Sequence, residues 1–222
     1  MSVFAAQEQV PYTMHMERGR FIALEGGDGA GKDTQVALLA SWVEAQGRAA
    51  EFLFVRDPGS TEIGQKLRQI VLQDAAVART TELLIYLAAR VQLAEELIRP
   101  ALAAGKTVVS NRFDLSTIAY QIYGRERLEF LPLVKQMSEF ALGGVRPDVV
   151  VYLEVPAEVG LARAAKAGAL DRFEQEKIAF HERVRVGYRT HLHEYPEHHV
   201  IDATGTIDEV HTTIRAALGF TL

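Results

Sequence analysis

One short run constrains the fold of this chain more than any other: Gly26-Gly27-Asp28-Gly29-Ala30-Gly31-Lys32. It follows an apolar stretch at 21–25. It precedes residues 34–46, where Val36, Leu39, Trp42 and Val43 have helical spacing that stops at Gly47. Glycine, four residues, glycine and lysine between a strand and a helix is the spacing of a phosphate-binding loop. The glycines let successive backbone N–H groups face phosphate oxygens without a Cβ in the way. The helix N-terminus adds partial positive charge, and Lys32 adds a point charge for the outer phosphates. A plain glycine-rich turn is the bland alternative, but the run stands in the context that phosphate binding requires. Gly26, Gly29, Ala30, Gly31, Lys32, Asp33 and Thr34 are therefore the candidate contacts to a nucleoside triphosphate. One position departs from the pattern. Asp33 stands where the motif expects a Ser or Thr hydroxyl for Mg²⁺, and Thr34 follows it. A carboxylate is also a hard oxygen ligand, although it is longer and its charge opposes neighbouring phosphates.

The rest of the chain alternates strands with helices. Residues 51–55 read as a second strand. Residues 61–72 read as a helix with Thr61 as N-cap and with Ile63, Leu67, Ile70 and Val71 inward. Residues 81–104 form a long helix with an apolar stripe of Leu83, Leu84, Leu87, Val91, Ala94 and Ile98, ended by Gly105. A buried strand at 107–110 precedes helices at 114–122 and 127–142. The unbroken apolar strand at 148–155 carries Val149, Val150, Val151 and Leu153. Such strands argue for a parallel sheet covered on both faces. Helices at 156–167 and 173–193, a strand at 200–201 and a helix at 207–218 complete the pattern. The expectation is an α/β fold: a doubly wound, five-stranded parallel sheet with helices on both faces.

With 222 residues, 48% of them hydrophobic, the chain has enough for one core, placed at 19–222. Residues 1–18 read as a loose tail, because the apolar run Val3-Phe4-Ala5-Ala6 is short and Glu8 and Gln9 follow it. A net charge of -5 offers no basic field for a nucleic-acid partner. No apolar run approaches the roughly 20 residues of a membrane span. The absence of cysteine excludes disulfides, thiolate metal sites and cysteine nucleophiles, and suits a cytoplasmic address. Six of the seven histidines lie beyond residue 180, His191, His193, His198 and His199 among them. They lack the His-Glu-x-x-His spacing and read as solvent-exposed rather than as a zinc site.

Several further segments, in order, narrow the reading. Phe21 to Lys32 resembles the phosphate loop of the thymidylate kinase family, including the acidic Asp28. Arg56-Asp57-Pro58-Gly59-Ser60-Thr61 is similar to that family's Arg-Glu-Pro-Gly-Gly-Thr loop. Arg90, within Ala88-Ala89-Arg90-Val91-Gln92, lies where the family carries its base-binding arginine. Asn111-Arg112-Phe113, with Ser116-Thr117 and Ala119-Tyr120-Gln121 after it, resembles its Asp-Arg-X segment. Pro147-Asp148, Gly160-Leu161, Arg163-Ala164, Asp171-Arg172-Phe173-Glu174 and Ile201-Asp202-Ala203 continue the match to the C-terminus. The resemblance implies a P-loop NTPase-type fold and transfer of the ATP γ-phosphoryl group to dTMP with Mg²⁺. Arg56 would bind the acceptor's phosphate, and Arg112 would bridge the two nucleotides. Tyr86 would stack on the pyrimidine and Arg90 would donate to a ring carbonyl. Thr117 and Gln121 would meet the base edge, Tyr120 would pack under the sugar, and Asp28 would accept from the 3′-hydroxyl. Arg163, Lys166 and Arg172 would be lid cations on a segment at about 163–173. Ala203 and Thr204 would lie near adenine. A homodimer is also implied.

Three departures fall on phosphoryl-transfer positions. Asp33 replaces the magnesium hydroxyl, Asn111 replaces the family's aspartate, and Ala165 and Ala167 leave the lid poor in cations. Asp33 and Asn111 are the candidate metal positions. If they face each other, one carboxylate has been gained where another was lost. Ile122-Tyr123 replace small residues beside the acceptor segment. A nucleotide-binding relative with impaired catalysis, or a kinase for another or modified deoxynucleotide, are the alternatives these departures raise.

Overall fold

The computed structural model describes residues 18–73, 77–168 and 171–220. The expectation of a tail at 1–18 thus lies outside the described residues, apart from Arg18. Strands β1 (Phe21–Gly26), β2 (Phe52–Arg56), β3 (Thr107–Asn111), β4 (Val149–Glu154) and β5 (Glu197–Asp202) form one sheet in the order β2-β3-β1-β4-β5. Every pairing is parallel. The connection from β1 leads to one side of the sheet and that from β3 to the other. The carboxyl ends of these two neighbours therefore form a switch point, where such sheets bind ligands.

The apolar strands follow from double coverage, because side chains alternate faces along a strand. Phe21 and Ala23 of β1 face a core shared with Leu93, Ile98 and Tyr188. Ile22 and Leu24 face the opposite core, with Leu39, Val43, Val210 and Ile214. The helices around the sheet are α1 (Lys32–Ala45), α2 (Glu62–Gln73), α3 (Arg79–Leu93), α4 (Arg99–Ala103), α5 (Asp114–Thr117), α6 (Leu131–Leu142), α7 (Ala157–Ala167), α8 (Ile178–His191) and α9 (Ile207–Ala217), with a wider π-helical turn at Ala94–Ile98 joining α3 to α4. A second such turn, Ile118–Gly124, continues α5.

Three expectations are corrected. Thr61 does cap α2, accepting from the Gly64 N–H at 2.9 Å, but Ile63 and Ile70 are exposed rather than inward, as is Leu84 on α3. The expected helix at 173–193 begins only at Ile178. The Asp171 carboxylate accepts from the N–H groups of Phe173 and Glu174, at 2.8 and 3.0 Å. This local side-chain turn competes with helix and holds 172–176 as turns. The histidines are not uniformly exposed: His181 and His191 are buried. His191 sits between Glu194 and the Tyr123 hydroxyl. Among the described residues no group of three or more His, Cys, Asp or Glu is placed to hold a metal.

Candidate functional site

The phosphate loop turns on Gly29 and Gly31. Both have positive φ, 67° and 90°, and a Cβ on Gly29 would lie 1.9 Å from the Gly160 carbonyl oxygen of α7. Only glycine lets the loop back onto α7 this closely. Gly31 then delivers the chain into α1 at Lys32. The buried Lys32 ammonium donates to the carbonyls of Gly26 (3.1 Å) and Gly27 (2.7 Å). Burial, reinforced by the nearby Arg112 cation, pushes its pKa down to about 7.

A cleft of about 790 Å³ opens above the switch point. Lys32, Arg56 and Arg112 all line it, each from the carboxyl end of a different strand. Arg112 has φ 71°, uncommon outside glycine. The Ser110 hydroxyl holds this backbone by donating to the Arg112 carbonyl at 2.6 Å. The Arg112 guanidinium donates to the Gly26 carbonyl, the Tyr188 and Tyr120 hydroxyls and Asp28, at 2.9, 2.9, 3.1 and 2.8 Å. Burial opposes its charge, but the surrounding phenols and carboxylates outweigh that and hold its pKa well above the ordinary value. It is a permanent, oriented cation.

Arg56 and Asn111 are register partners on β2 and β3, so their side chains leave the sheet edge together. Both are tied to one carboxylate: Asp33 accepts from the Arg56 guanidinium and from the Asn111 amide. Positions 33 and 111 therefore face each other. Partial burial works against the Asp33 charge, yet Arg56, Lys32 and Asn111 outweigh it and hold its pKa below the usual carboxylate range.

Deeper in the cleft, Arg90 is buried, with Nε 2.5 Å from Asp57 and Nη1 2.6 Å from the Thr117 hydroxyl. Tyr86 lies one turn away on the same face of α3 and lines the same cleft, as do Thr117, Tyr120 and Gln121. Gln121 donates to Glu82 at 2.7 Å.

Of the three lid positions, Arg163 lines the cleft and Lys166 and Arg172 do not. Arg163 lines the cleft together with the phosphate loop and donates to the carbonyls of Ala203 (2.7 Å) and Thr204 (3.1 Å), fastening the loop after β5. Ala203 lines the cleft, followed by Gly205, Thr206 and Ile207, whereas Thr204 does not. Lys166 is exposed and lies outside the cleft lining. Arg172 pairs with the fully buried Glu82 and donates to the Val71 carbonyl at 3.1 Å. Glu82 attracts it because that buried carboxylate needs cations, and Arg125 lies within 3.5 Å for the same reason. Ala169 and Leu170, between these residues, lie outside the described residues.

Ile122 and Tyr123 do not reshape the acceptor pocket. Ile122 is buried against Leu83, Leu87 and Val134, Tyr123 packs beside them, and neither lines the cleft. The observation that raised a different acceptor is thereby removed.

Several supporting residues escaped the sequence reading. Glu25, at the end of β1, is fully buried and accepts from Phe113 N–H and the Ser116 hydroxyl, at 2.8 and 2.6 Å. Burial pushes its pKa up. It anchors the start of α5 behind Arg112. Arg68 lines the cleft as a further cation, and burial together with Arg56 pushes its pKa down. Its signal was present: 61, 64 and 68 share one face of α2. Glu82 likewise precedes Tyr86 and Arg90 at four-residue steps. His181 lies with Nδ1 3.7 Å from Asp28, behind the phosphate loop.

Residues 24–214 match a family model described as thymidylate kinase. The chain is 44% identical over 184 residues to a thymidylate kinase of Thermosynechococcus vestitus, covering 78% of this chain and 76% of that protein. It is 42% identical over 205 residues to one of Deinococcus radiodurans, covering 91% and 98%. The crystal structure of a thymidylate kinase from Ehrlichia chaffeensis superposes with a TM-score of 0.75 at 27% identity, covering 90% and 99%.

Proposed function

The chain belongs to the thymidylate kinase family, and from that premise we propose how its cleft transfers the ATP γ-phosphoryl group to dTMP. A phosphate oxygen of dTMP attacks the γ-phosphorus in line. The bond from that phosphorus to the bridging oxygen breaks, and dTDP and ADP leave. Such a transfer needs little proton chemistry and depends on positioning and charge. The observation that carries this reading is the convergence of Lys32, Arg56 and Arg112 on one cleft from three strand ends.

In this assignment Lys32 and the loop from Gly26 to Thr34 hold the triphosphate, with Ala203 beside adenine. Arg56 forks onto the acceptor's phosphate, helped by Arg68. Arg112 spans both nucleotides, where its fixed cation stabilises charge in transit. Tyr86 stacks on the pyrimidine and Arg90 donates to a ring carbonyl, with Thr117 and Gln121 at the base edge. Tyr120 packs under the sugar, and Asp28 accepts from the 3′-hydroxyl. Arg163, Lys166 and Arg172 act on the phosphates only when the segment at 163–173 closes, with Arg172 leaving Glu82. Residues 19–222 act as a single domain.

Asp33 and Asn111 suit Mg²⁺, which accepts one or two protein oxygens and takes the rest of its shell from phosphates and water. When bound, the ion neutralises charge on the phosphates. The exchange of carboxylate between these positions, now seen to be in contact, keeps the local charge count.

The homodimer reading is supported by the exposed apolar residues Ile63 and Ile70 on α2, Leu84 on α3 and Phe140 on α6; α3 packs against both other helices. Phe140 is 90% exposed. A Phe140→Asp variant that keeps the wild-type molar mass would remove this face from the interface. No described helix is long and apolar enough to cross a membrane, and a cytoplasmic address fits soluble nucleotide substrates. The direct test is ADP release, with Mg²⁺, across a panel of monophosphates. Turnover with dTMP is expected, and none with any deoxynucleotide would overturn the assignment.

A further inference from the structure

Asp33 and the expected acceptor phosphate claim the same cation. One oxygen of the Asp33 carboxylate, Oδ1, accepts from both the Arg56 guanidinium and the Asn111 amide. The Asp33 side chain is 70% exposed and that of Arg56 is 42% exposed. An ion pair this open to water is weak, and a phosphate that forks onto guanidinium displaces it. Asn111 does not compete. Its amide reaches Asp33 from β3 through a contact of its own. Asp33 opens α1 directly after Lys32, so a freed carboxylate faces the phosphate end of the cleft.

We propose that Arg56 is exchanged between Asp33 and the phosphate of dTMP, so that binding of the acceptor uncovers the Asp33 carboxylate for the divalent cation. Acceptor and metal then bind cooperatively through one shared arginine. The inference rests on the acceptor-phosphate role of Arg56 and the metal role of Asp33 given above. Linkage makes the effect reciprocal: dTMP strengthens metal binding by the factor by which metal strengthens dTMP binding. Breaking an exposed ion pair sets that factor at roughly three- to fivefold.

The test uses the full chain with Mn²⁺ as probe. Free Mn²⁺ is followed by its electron paramagnetic resonance signal, with and without saturating dTMP and in the absence of ATP. Calorimetric dTMP titrations with and without Mn²⁺ give the reciprocal measurement. Wild type is expected to show the three- to fivefold gain in both directions. Arg56→Gln should bind Mn²⁺ more tightly than wild type without dTMP, and should gain nothing further when dTMP is added. Asp33→Asn should lose the coupling while still binding dTMP. Both side chains are substantially exposed, so unchanged melting temperatures are the folding control. Coupling that survives in Asp33→Asn overturns the proposal, as does an unchanged Mn²⁺ affinity in Arg56→Gln or no Mn²⁺ binding by wild type in either condition. Each of these results leaves dTMP-dependent ADP release intact if the kinase assignment is right, so the two failures are distinguishable.

Discussion

Lys32 should take up a proton when ATP binds. The perturbation is the nucleotide itself, which brings negative phosphates to a lysine whose pKa burial has moved from 10.5 to about 7. At pH 8 a group of pKa about 7 is roughly nine-tenths neutral. Phosphates replacing the Gly26 and Gly27 carbonyls as its partners raise that pKa again, because an opposite charge favours the protonated form. Uptake should then be about 0.9 proton per ATP at pH 8 and about 0.5 at pH 7. Below pH 7 the free enzyme already carries the charge, so affinity is full there. Above pH 7 affinity should fall about tenfold per unit until the pKa of the bound state is reached. The stability of the free fold runs the other way. The unfolded chain holds this proton up to about pH 10.5, so the cost of burying Lys32 is relieved as pH rises from 7 towards that value. Calorimetry in two buffers of different ionisation enthalpy, at pH 8 to 9, measures the uptake directly. At that pH the terminal phosphate, whose own titration lies near pH 6, contributes little. Lys32→Arg is the control, since a guanidinium stays charged throughout. Equal uptake in wild type and Lys32→Arg, or none in wild type at pH 8, would refute the reasoning.

Other outcomes follow from burial. Arg90→Met should cost about 3–5 kcal/mol in urea unfolding, because Asp57 is left as an unpaired buried charge. Adding Asp57→Asn should recover part of that loss, and no recovery would mean the pair is not the cause. Ile122→Ala should cost about 2–5 kcal/mol through a core cavity, yet leave the ranking of acceptor monophosphates unchanged. A changed ranking would return residue 122 to the pocket. Thr206 accepts from Glu209 N–H at 3.3 Å, and Glu209 accepts from Thr206 N–H at 2.8 Å. Thr206→Ala should therefore cost about 1 kcal/mol in thermal unfolding.

The sheet was legible because its signals are local. A strand buried on both faces must be largely apolar, and β1 and β4 are, up to Glu25 and Glu154 near their carboxyl ends. The phosphate loop was legible for the same reason, since glycine spacing is a property of contiguous backbone. Helix ends and faces were harder. The turn at 172–176 depends on which way the Asp171 carboxylate points, and Ile63, Ile70 and Leu84 have core-like spacing without a core beneath them in the single chain. Residues whose roles depend on distant partners were least legible. Glu82 reads as a solvated helix residue until Gln121, Arg125 and Arg172 are seen around it, from segments 39 to 90 residues away.

Asp33 and Asn111 show where motif reading stops and register takes over. Each taken alone is a defect: a charge beside the phosphates, and a carboxylate missing from the end of β3. The sheet places residue 111 level with Arg56, and the first turn of α1 sets residue 33 above both. Three residues separated by up to 78 positions thus become one cluster with one net carboxylate and one guanidinium. A Ser or Thr at 33 would leave Arg56 unpaired before the acceptor arrives, and an aspartate at 111 would bring a second negative charge to this edge. Either residue restored singly to the usual pattern unbalances the cluster, while the two changes together restore it. Their contact predicts coupling, so Asp33→Thr with Asn111→Asp should give markedly non-additive effects on kcat. Additive effects would mean that the contact seen here carries no weight in catalysis.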